Sequence, residues 1–457
     1  MQRLKSLIPD AKSFEPITGS GSNRRYWRVV RADGTSVIGA IGTVTTENDA
    51  FIYLSGYFSS RDLPVPRILA VSPDRTAYVQ EDLGDTCLLD RITDTALVAK
   101  TIDMLPRFQI NGALGLDFSR CHPVPEMDMT SVMWDLNYFK YCYLKLTGLE
   151  IDEPRLEKEF QALASCLLMA KPWGFMVRDF QSRNVMIRDN MPYLIDFQGG
   201  RRGPVHYDVA SFLWQARAGL SAEFRNSMVE RYIAASGVDA EEFRTSLPFF
   251  VIFRMLQVLG AYGFRGYHER KPAFMQQIPA ALTNLREAMN PAVFPYLSEI
   301  TDTLLSRHAT HSSVGSDNDA NGILTVEVLS FSYKKGLPAD MSGNGGGFVF
   351  DCRAIHNPGR YEPYKQLTGK DAPVAEFLEN DGEVFTFLDH CCALVDHAVE
   401  RYLKRGFTHL QIAFGCTGGQ HRSVYCAAAM AARLREKFAG QPIAVTETHR
   451  EQPSLRP

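Results

Sequence analysis

The pattern of apolar and polar residues divides the N-terminal part of the chain into short strands. Residues 13–41 hold three runs typical of a strand meander, FEPITGSG, RRYWRVV and SVIGAIG, separated by glycine-containing turns. A helical segment follows over 48–59, and a further strand pair, RILAVS and TAYVQ, runs into Glu81-Asp82-Leu83-Gly84. This order predicts a small, mostly β lobe with one helix, which ends in an extended connector.

Helical spacing dominates from residue 96 onward, where apolar residues recur at every third or fourth position. The pattern predicts helices over 94–110, 130–147, 154–170, 209–219, 221–236, 248–265 and 275–289. Within the second of these, the stripe Trp134, Tyr138, Tyr141 and Leu144 is interpreted as core packing. A larger, mostly helical lobe is therefore expected after the β lobe.

A polar stretch of small residues, 301–322, predicts a flexible linker. Beyond it come an alternating strand, ILTVEVLSFSY, a second strand, FVFDCR, and a helical stretch over 374–405. A strand, a glycine turn and an alanine-rich helix follow, which is the β-loop-α unit of an α/β domain. We expect one domain at 1–303, a linker at 304–322 and a smaller α/β domain at 323–457.

One stretch between the predicted helices, GFMVRDFQSRNVMIRDNMPYLIDFQGG at 174–200, carries candidate chemistry. Asp179 is followed five residues later by Asn184, and a short apolar run then ends in Asp196. Phosphoryl transfer needs a carboxylate that accepts the proton of the attacking hydroxyl, and oxygen ligands that hold Mg²⁺. The pair Asp179 and Asn184, or Asp196 alone, would be typical of polar turns. Together and in this order, these residues indicate a phosphotransferase centre.

The glycine-rich turn near the N-terminus, residues Gly19, Ser20, Gly21, Ser22 and Asn23, is a candidate for the phosphates of a nucleotide. Successive backbone N–H groups in such a turn can bind phosphate oxygens. A glycine hairpin on its own is more often an ordinary hairpin. The turn becomes informative because a nucleotide clamped between a β lobe and a helical lobe would lie beneath it.

The composition is that of a soluble globular protein of two or three domains, with 457 residues, 45% hydrophobic and 22% charged. A net charge of −3 gives no support for a generally nucleic-acid-binding surface. No apolar run approaches the ~20 residues of a membrane helix, and MQRLKSLIPDAK has a Pro and an Asp too early for a secretory signal. Because the nine cysteines include no C-x-x-C pair, we expect a reduced, cytoplasmic location with most cysteines buried.

The stretches GSNRRYWRV, VPRILA, EDLGD, VRDFQSRN, LIDFQGG and GPVHYDVASFLW resemble the aminoglycoside phosphotransferase-type kinases over residues 10–300. Within that superfamily the chain is most similar to the anomeric amino-sugar kinases of cell-wall recycling. The resemblance implies an α+β, protein-kinase-like two-lobe domain that transfers phosphate from ATP to a sugar or amino sugar. It implies Asp179 as catalytic base, Asn184 and Asp196 as Mg²⁺ ligands, and the Gly19–Asn23 turn, Arg28 and Glu81 as ATP contacts. Asp208 would be a structural carboxylate that braces the loop.

Two positions depart from the kinase pattern. Val177 stands where a histidine usually supports the loop, and no lysine occurs between Lys12 and Lys100. The missing lysine normally stabilises the nucleotide phosphates and pairs with a helix glutamate. Arg24, Arg25 or Arg28 could substitute, with Glu47 as the helix acid, and an inactive pseudokinase stays an open alternative.

The second domain carries the loop GCTGGQHRS, from Gly415 to Ser423, just before its alanine-rich helix. Backbone N–H groups, a helix N-terminus and an arginine that face one point make an anion site. The spacing Cys-x5-Arg-Ser also fits a cysteine phosphatase loop, in which the thiolate of Cys416 would be the nucleophile. No general-acid loop for that chemistry is evident in the sequence.

The stretches SFSYKKGLP, FVFDCRAIHNP, LTGKDAPVAEFL, FGCTGGQHRSVY and THRE resemble the C-terminal domain of RapZ-type RNase adapters. The resemblance implies that a phosphorylated sugar contacts Cys416, Thr417, Gly418, Gly419, His421 and Arg422, with Lys334, Lys335 and Arg353 as weaker candidates. It also implies RNA binding, which the net charge does not support, and self-association as a homo-oligomer.

The leading hypothesis is thus a sugar kinase joined to a domain that binds a sugar phosphate. The alternatives are a regulatory binding protein with a pseudokinase lobe, a kinase–phosphatase that uses Cys416, and an antibiotic-modifying kinase.

Overall fold

The computed structural model describes residues 1–17, 24–269, 271–312, 323–338 and 347–452. The chain divides into two compact units, one of residues 1–268 with 277–303 and the other of residues 269–276 with 304–457. Up to residue 312 the elements are α1 (Gln2–Leu7), β1 (Ala11–Ile17), β2 (Arg25–Arg31), β3 (Ser36–Ile41), α2 (Thr45–Ser59), β4 (Ile68–Val71), β5 (Ala77–Glu81), α3 (Thr95–Pro106), α4 (Met129–Cys142), α5 (Glu153–Met169), β6 (Trp173–Met176), β7 (Val185–Arg188), β8 (Met191–Leu194), β9 (Arg201–Pro204), α6 (His206–Leu213), α7 (Ala222–Ser236), α8 (Ala240–Gly263), α9 (Pro272–Met275), α10 (Ile278–Ala288) and α11 (Pro295–Ser312). From residue 323 they are β10 (Leu324–Ser332), β11 (Gly347–Asp351), α12 (Ala372–Asp381), α13 (Glu383–Arg405), β12 (His409–Cys416), α14 (Arg422–Lys437) and β13 (Ile443–His449).

The small lobe of the first unit is a five-stranded antiparallel sheet with strand order β1-β2-β3-β5-β4. Helix α2 lies between β3 and β4 in the chain and turns Phe51, Leu54 and Phe58 into the core. Those positions are three or four residues apart, so they share one face of the helix. The predicted lobe of strands with a single intervening helix is confirmed from β1 to β5.

The larger lobe is helical and carries two short antiparallel pairs, β6 with β9 and β7 with β8. The stretch 174–200 begins in β6, contains the β7–β8 hairpin and ends just before β9. Phe58 of α2 reaches this region, because its ring lies 4.9 Å from that of Phe175 and 6.0 Å from that of Phe197. The aromatic contacts therefore connect the small-lobe helix to the hairpins.

The second unit contains a parallel sheet with strand order β11-β12-β10-β13. Strands β10 and β12 are nearly continuous runs of buried residues, as expected for a parallel sheet covered on both faces. The predicted α/β domain is confirmed. The helix predicted over 374–405 is instead two helices, α12 and α13, because Gly382 adopts a φ of +79° that ends the first.

The predicted linker is wrong over residues 304–312, where α11 continues as a helix to Ser312. Ile300 and Leu304 are buried at helical spacing, and the Thr301 hydroxyl donates to the carbonyl oxygen of Leu297 at 2.7 Å. Burial of this apolar face is what keeps the Ser/Thr-rich segment helical, while its hydroxyl group is satisfied within the helix. The remainder of the predicted linker, 313–322, lies outside the described residues.

The predicted aromatic stripe on α4 is also wrong in part. Trp134 and Tyr141 are 54% and 57% exposed, whereas Leu136 and Phe139 are fully buried. The core face of α4 is therefore displaced from the aromatic positions. Large rings carry no information about which helix face meets the core when both faces contain apolar residues.

One segment contradicts the expectation that no apolar run is long enough to cross a membrane. Residues 240–268, which comprise α8 and the turn after it, are long and apolar enough to do so by length and composition. Within the fold, 61% of the most apolar part of this segment is buried, which is the environment of a core helix. No other helix in the described part of the chain meets these conditions.

We expect Phe58→Ala to lower the free energy of unfolding of the first unit by about 3–5 kcal/mol, because the fully buried ring leaves a cavity among its aromatic neighbours. Trp fluorescence during denaturant titration reports on this unit, since the four tryptophans, Trp27, Trp134, Trp173 and Trp214, all belong to it. Met169→Ala is the control, because Met169 is 77% exposed. Equal midpoints for the two variants would contradict the packing role of Phe58.

Candidate active site

The loop after β6 is held by a carboxylate buried beneath it. Asp208, in the first turn of α6, is fully buried and accepts hydrogen bonds from the backbone N–H groups of Val177 at 2.8 Å and Arg178 at 2.9 Å. Arg178 has a φ of +74°, a left-handed conformation that costs a non-glycine residue about 1–2 kcal/mol. The bonds to Asp208 offset this cost, and the expectation that Asp208 braces the loop is confirmed.

Asn184 joins the two carboxylate residues of the predicted centre. Its Nδ2 donates to the backbone oxygen of Asp179 at 2.8 Å and to Oδ2 of Asp196 at 3.2 Å. The β7–β8 hairpin sets this spacing, and the N–H of Ile195 donates to the carbonyl oxygen of Asn184 at 3.0 Å. The structure therefore brings together the three residues that the sequence grouped for phosphoryl transfer.

The electrostatic environment of Asp196 favours a cation. Burial, and then the negative charge of Asp179, raise the pKa of Asp196. A divalent cation would oppose both effects, and carboxylate and amide oxygens are the donors that Mg²⁺ prefers. Among the described residues, no three His, Cys, Asp or Glu side chains are grouped as a complete metal site. Asn184 and Asp196 still fit Mg²⁺, because this ion commonly takes one or two carboxylates and completes its shell with phosphates and waters.

Residues that hold the loop from a distance were missed in the sequence. Nη2 of Arg178 donates to both carboxylate oxygens of Asp135, at 3.1 and 3.2 Å, and Gln257 donates to the same carboxylate at 2.9 Å. Gln109 donates to Asp208 at 2.8 Å. These partners lie 43 to 122 residues apart in the chain, so no local pattern indicates them. The one available signal is a polar residue at an otherwise apolar helical position.

Part of the predicted nucleotide site lies outside the described residues, namely Gly19, Ser20, Gly21, Ser22 and Asn23. Arg28 lies on β2, where its Nε donates to Asp82 at 2.7 Å and its Nη1 to Asp85 at 2.6 Å. These bonds tie the second strand to the connector between the lobes. Contact of Arg28 with a nucleotide stays a prediction.

Glu81, the other predicted nucleotide contact, ends β5 at the start of the connector. Its Oε1 accepts from Nη1 of Arg188 at 2.8 Å, and its Oε2 accepts from Nε of Arg67 at 3.3 Å. Although partial burial works in the opposite direction, these two arginines lower the pKa of Glu81. The side chain is a bridge between the lobes, and its contact with a nucleotide stays a prediction.

A buried arginine lies just before β2, on the small-lobe side of the site. The side chain of Arg24 is 3% exposed, and its Nη2 lies 3.1 Å from Oε1 of Glu47 on α2. Its guanidinium carbon lies 5.9 Å from the ring centre of Phe51, one turn further along α2. The charge of Arg24 also opposes the rise in the pKa of Asp196 that burial and Asp179 cause.

The glycine-rich loop of the second unit connects β12 to α14. The backbone N–H of Gly419 donates to Sγ of Cys416 at 3.2 Å, and Oγ of Ser423 lies 3.1 Å from the same sulfur. Burial alone would raise the pKa of Cys416, but these bonds and further N–H groups of the loop lower it below the ordinary thiol value. The loop therefore stabilises negative charge at the N-terminus of α14.

Two side chains predicted to bind an anion here hold neighbouring backbone. Nη1 of Arg422 donates to the carbonyl oxygens of Arg353 at 2.9 Å and Ile355 at 2.8 Å. Nε2 of His421 lies 2.8 Å from the carbonyl oxygen of Tyr364. Nε of Arg422 is buried and has no partner among the residues that the structure describes.

The remaining predicted residues of this site differ in exposure. Thr417, Gly418, Lys334, Lys335 and Arg353 are exposed, whereas Gly419 is buried. Nε of Arg353 donates to both carboxylate oxygens of Asp351 at 3.0 Å. Binding of a ligand by any of these residues stays a prediction.

The stability that depends on Asp208 should vary with pH in a defined direction. Burial raises the pKa of Asp208 to about 7 from an ordinary 3.8, so between these values the folded state binds more protons than the unfolded state. The free energy of unfolding should therefore fall by up to about 1.4 kcal/mol per pH unit as the pH rises toward 7. Denaturant titrations by Trp fluorescence from pH 5 to 8 measure this slope. Asp208→Asn cannot titrate and should lose it, and equal slopes in the two proteins would contradict the assignment.

Several curated proteins named as nucleotide-binding proteins are similar to part of the chain. The chain is 42% identical over 135 residues to a nucleotide-binding protein of Cereibacter sphaeroides (30% of this chain, 42% of that protein). It is 36% identical over 181 residues to one of Xanthomonas axonopodis pv. citri (38% and 60%). It is 31% identical over 226 residues to one of Acidobacterium capsulatum (47% and 68%). The chain thus spans 42% and 60% of the length of the first two relatives.

Solved structures similar to the first unit are small-molecule kinases. The choline kinase of Cryptosporidium parvum Iowa II is 14% identical, with 63% of this chain and 93% of that chain covered and a TM-score of 0.46. The amicoumacin kinase hAmiN in complex with AMP-PNP, Ca2+ and Ami is 11% identical, with 67% and 92% covered and a TM-score of 0.48.

Two family models match the chain. Residues 324–453 match the RapZ C-terminal domain, and residues 13–244 match the phosphotransferase enzyme family. The second match covers slightly more than half of the 457 residues and includes the whole of the loop and hairpins described above. The chain therefore belongs to the phosphotransferase enzyme family and carries a RapZ C-terminal domain after its kinase-like unit.

Proposed function

We propose that the first unit is an ATP- and Mg²⁺-dependent kinase that phosphorylates the anomeric hydroxyl of a sugar or amino sugar. The observation that carries this proposal is the joint placement of Asp179, Asn184 and Asp196 above the buried carboxylate of Asp208. The motifs shared with anomeric amino-sugar kinases supply the acceptor class. Such an enzyme would act in nucleotide-sugar or cell-wall recycling metabolism in the cytoplasm.

In this reaction Asp179 accepts the proton of the anomeric hydroxyl while the oxygen forms a bond to the γ-phosphorus of ATP. The bond from that phosphorus to the β,γ-bridging oxygen breaks, so the products are ADP, a sugar 1-phosphate and a proton that Asp179 returns to solvent. Asn184 and Asp196 would hold Mg²⁺, whose charge neutralises that of the β- and γ-phosphates. Asp208 keeps the Asp179 backbone in place through the two preceding N–H groups.

A small cavity beside the loop that follows β6 is large enough for about one water molecule. Its polar lining consists of Ser131, Asp135, Arg178, Arg201 and Tyr207. Arg201 is 2% exposed, and its Nη2 has no partner among the described residues. Burial, and then the charge of Arg178, lower the pKa of Arg201 to about 10. Two guanidinium groups against one carboxylate favour a small oxygen-bearing group, such as a hydroxyl or a water, in this cavity.

Incubation of the protein with Mg·ATP and a panel of hexoses, amino sugars, choline and aminoglycosides, read by phosphorus NMR, tests the proposal. We expect a phosphomonoester whose signal is split by the anomeric proton, and a loss of about 10²–10⁴-fold in kcat for Asp179→Asn. Asp196→Asn should lose Mg²⁺-supported turnover as well. Asp189→Asn is the matched control from the same stretch, because the Asp189 side chain is 91% exposed in the β7–β8 turn.

Other outcomes of this experiment distinguish the competing functions. A phosphorylated aminoglycoside or choline would overturn the sugar acceptor and keep the kinase. ATP binding without any product from the full panel would favour a regulatory pseudokinase. Full turnover in Asp179→Asn would remove the base from the mechanism.

We further propose that the second unit binds a phosphorylated sugar at residues 416–422. The support is local: the loop already stabilises negative charge at Cys416, and Gly419 has a φ of +68° in a position where a Cβ would meet the Glu451 carboxylate and Ser332. A glycine there lets the backbone N–H groups converge on one point at the start of α14. The unit would then sense the product of the first unit or a related metabolite.

Gly419→Ala should weaken binding of a hexosamine phosphate by at least about tenfold, because the added methyl group forces the loop to move. Isothermal titration calorimetry with hexosamine 1-phosphate, hexosamine 6-phosphate and inorganic phosphate gives the affinities. Gly406→Ala is a matched control, since Gly406 has a similar φ of +69° and no atom within 4 Å of its added Cβ. Equal losses in both variants would show that backbone strain, not the loop, controls binding.

Two alternatives for this unit have their own readouts. Release of phosphate from a sugar phosphate that disappears in Cys416→Ser would establish thiolate phosphatase chemistry, since that mechanism requires the sulfur. A gel shift with RNA that weakens along a salt series would establish nucleic-acid binding. The absence of a shift at low salt would rule it out.

A further inference from the structure

Strands β2 to β5 and helix α2 of the small lobe contain no lysine that could hold nucleotide phosphates. No lysine occurs between Lys12 and Lys100, a span that contains β2 to β5 and α2. Lys12 donates to the carbonyl oxygen of Ala32, and Lys100 donates to that of Asn190. Kinases of this type place a cation against the phosphates and orient it with a helix glutamate. The charge must therefore come from another residue if the first unit uses ATP.

The arginines of the small lobe are mostly engaged away from the cleft. Ion pairs hold Arg28 to Asp82, Arg31 to Asp10, Arg67 to Glu81 and Arg75 to Asp49. Arg25 is exposed and adjacent to Arg24, so the two side chains leave opposite faces of the chain at the start of β2.

Arg24 is paired with a helix glutamate, as the phosphate-binding lysine is in other kinases. Its side chain is 97% buried and pairs with Glu47 on the only helix between β3 and β4, at 3.1 Å. Glu47 is in the first turn of α2, and Phe51 one turn later stacks at 4.9 Å on Phe197, the residue after Asp196. The arginine–glutamate pair is thus tied to the segment that carries the metal carboxylate.

The guanidinium group of Arg24 also lies on the side of α2 that faces the metal carboxylate. Its central carbon is 5.9 Å from the ring centre of Phe51, and that ring stacks on Phe197, the residue after Asp196. The phosphates of a Mg²⁺-bound nucleotide must lie against Asp196. A cation beside Phe51 is therefore on the small-lobe side of those phosphates.

We propose that Arg24, oriented by Glu47, is the phosphate-binding cation of this kinase and replaces the lysine of the third strand. The proposal rests on the proposed kinase function of the first unit. A guanidinium group has five N–H donors in a planar fork, so one side chain can bind a carboxylate and two phosphate oxygens together. The side chain of arginine is also longer than that of lysine, so it can reach the phosphates from a position just before the second strand. Glu47 is a positioning residue in this arrangement and does not touch the nucleotide.

Nucleotide affinities test this directly, measured by calorimetry for ADP and adenosine in the presence of Mg²⁺. Arg24→Met should weaken ADP binding between about tenfold and about a hundredfold, because a charged hydrogen-bonding partner of the phosphates is lost. Adenosine has no phosphates, so its affinity should stay within about twofold. A purely structural role would lower both affinities together.

Three further variants make the test specific. Arg24→Met/Glu47→Gln removes both charges, avoids an unpaired buried carboxylate, and should show the same selective loss of ADP binding. Arg25→Met changes the adjacent exposed arginine and should bind ADP like the wild type. Arg183→Met tests the exposed loop arginine that also acts on Asp196. Unchanged ADP affinity in both Arg24 variants, with a loss in Arg183→Met instead, would overturn the proposal.

The outcomes separate this proposal from the kinase function itself. Wild-type turnover with unaffected Arg24 variants would remove only the role of Arg24. ADP binding that depends on Arg24, without transfer to any acceptor, would keep that role and remove the sugar kinase. A wild-type protein that binds neither ATP nor ADP would overturn both.

Discussion

A buried carboxylate that accepts backbone hydrogen bonds is the constraint on which the catalytic side of the first unit depends. Asp208 receives the N–H groups of Val177 and Arg178 and a side-chain donor from Gln109, so three donors converge on one fully buried group. The arrangement explains why the loop tolerates valine in the place of its usual histidine. Asp208 supports the loop through its backbone N–H groups, so the side chain of Val177 needs only to fill its place in the core.

Contacts between aromatic rings connect the two lobes of the first unit. Phe51 contacts Tyr78 at 5.4 Å and Phe197 at 4.9 Å, and Phe58 contacts Phe108 at 5.2 Å. Helix α2 therefore cannot shift without moving the residue next to Asp196. Because α2 also carries Glu47, a single packed helix sets the position of charged groups on both sides of the cleft. Packed rings of this kind have few alternative arrangements, so a displacement of α2 would displace the rings that it contacts.

Local patterns sufficed wherever geometry is set over a short stretch of chain. The distance between Asn184 and Asp196 is determined by one hairpin. The parallel strands of the second unit could be predicted because they are continuous apolar runs in the sequence. Features that depend on distant partners were missed or misassigned. The core face of α4 was placed on Trp134 and Tyr141, because nothing in that helix says which side meets α8. The continuation of α11 rests on the packing of Ile300 and Leu304, which the polar composition of that segment does not indicate. The sequence left Arg24, Arg25 and Arg28 open as partners of Glu47, and the fold pairs Arg24 with it.

The absence of lysine between Lys12 and Lys100 has a consequence for the chemical profiling of nucleotide pockets. Reagents that deliver an acyl or aldehyde group from an ATP analogue report occupancy by modifying an amine beside the phosphates. In this chain the flanking amines are Lys12 and Lys100, each committed to a backbone carbonyl at 2.9 and 3.1 Å. A guanidinium does not react with such groups at neutral pH, because it stays protonated. A proteome-wide survey based on amine labelling would therefore count the nucleotide pocket that we propose for this chain as empty, even when nucleotide fills it.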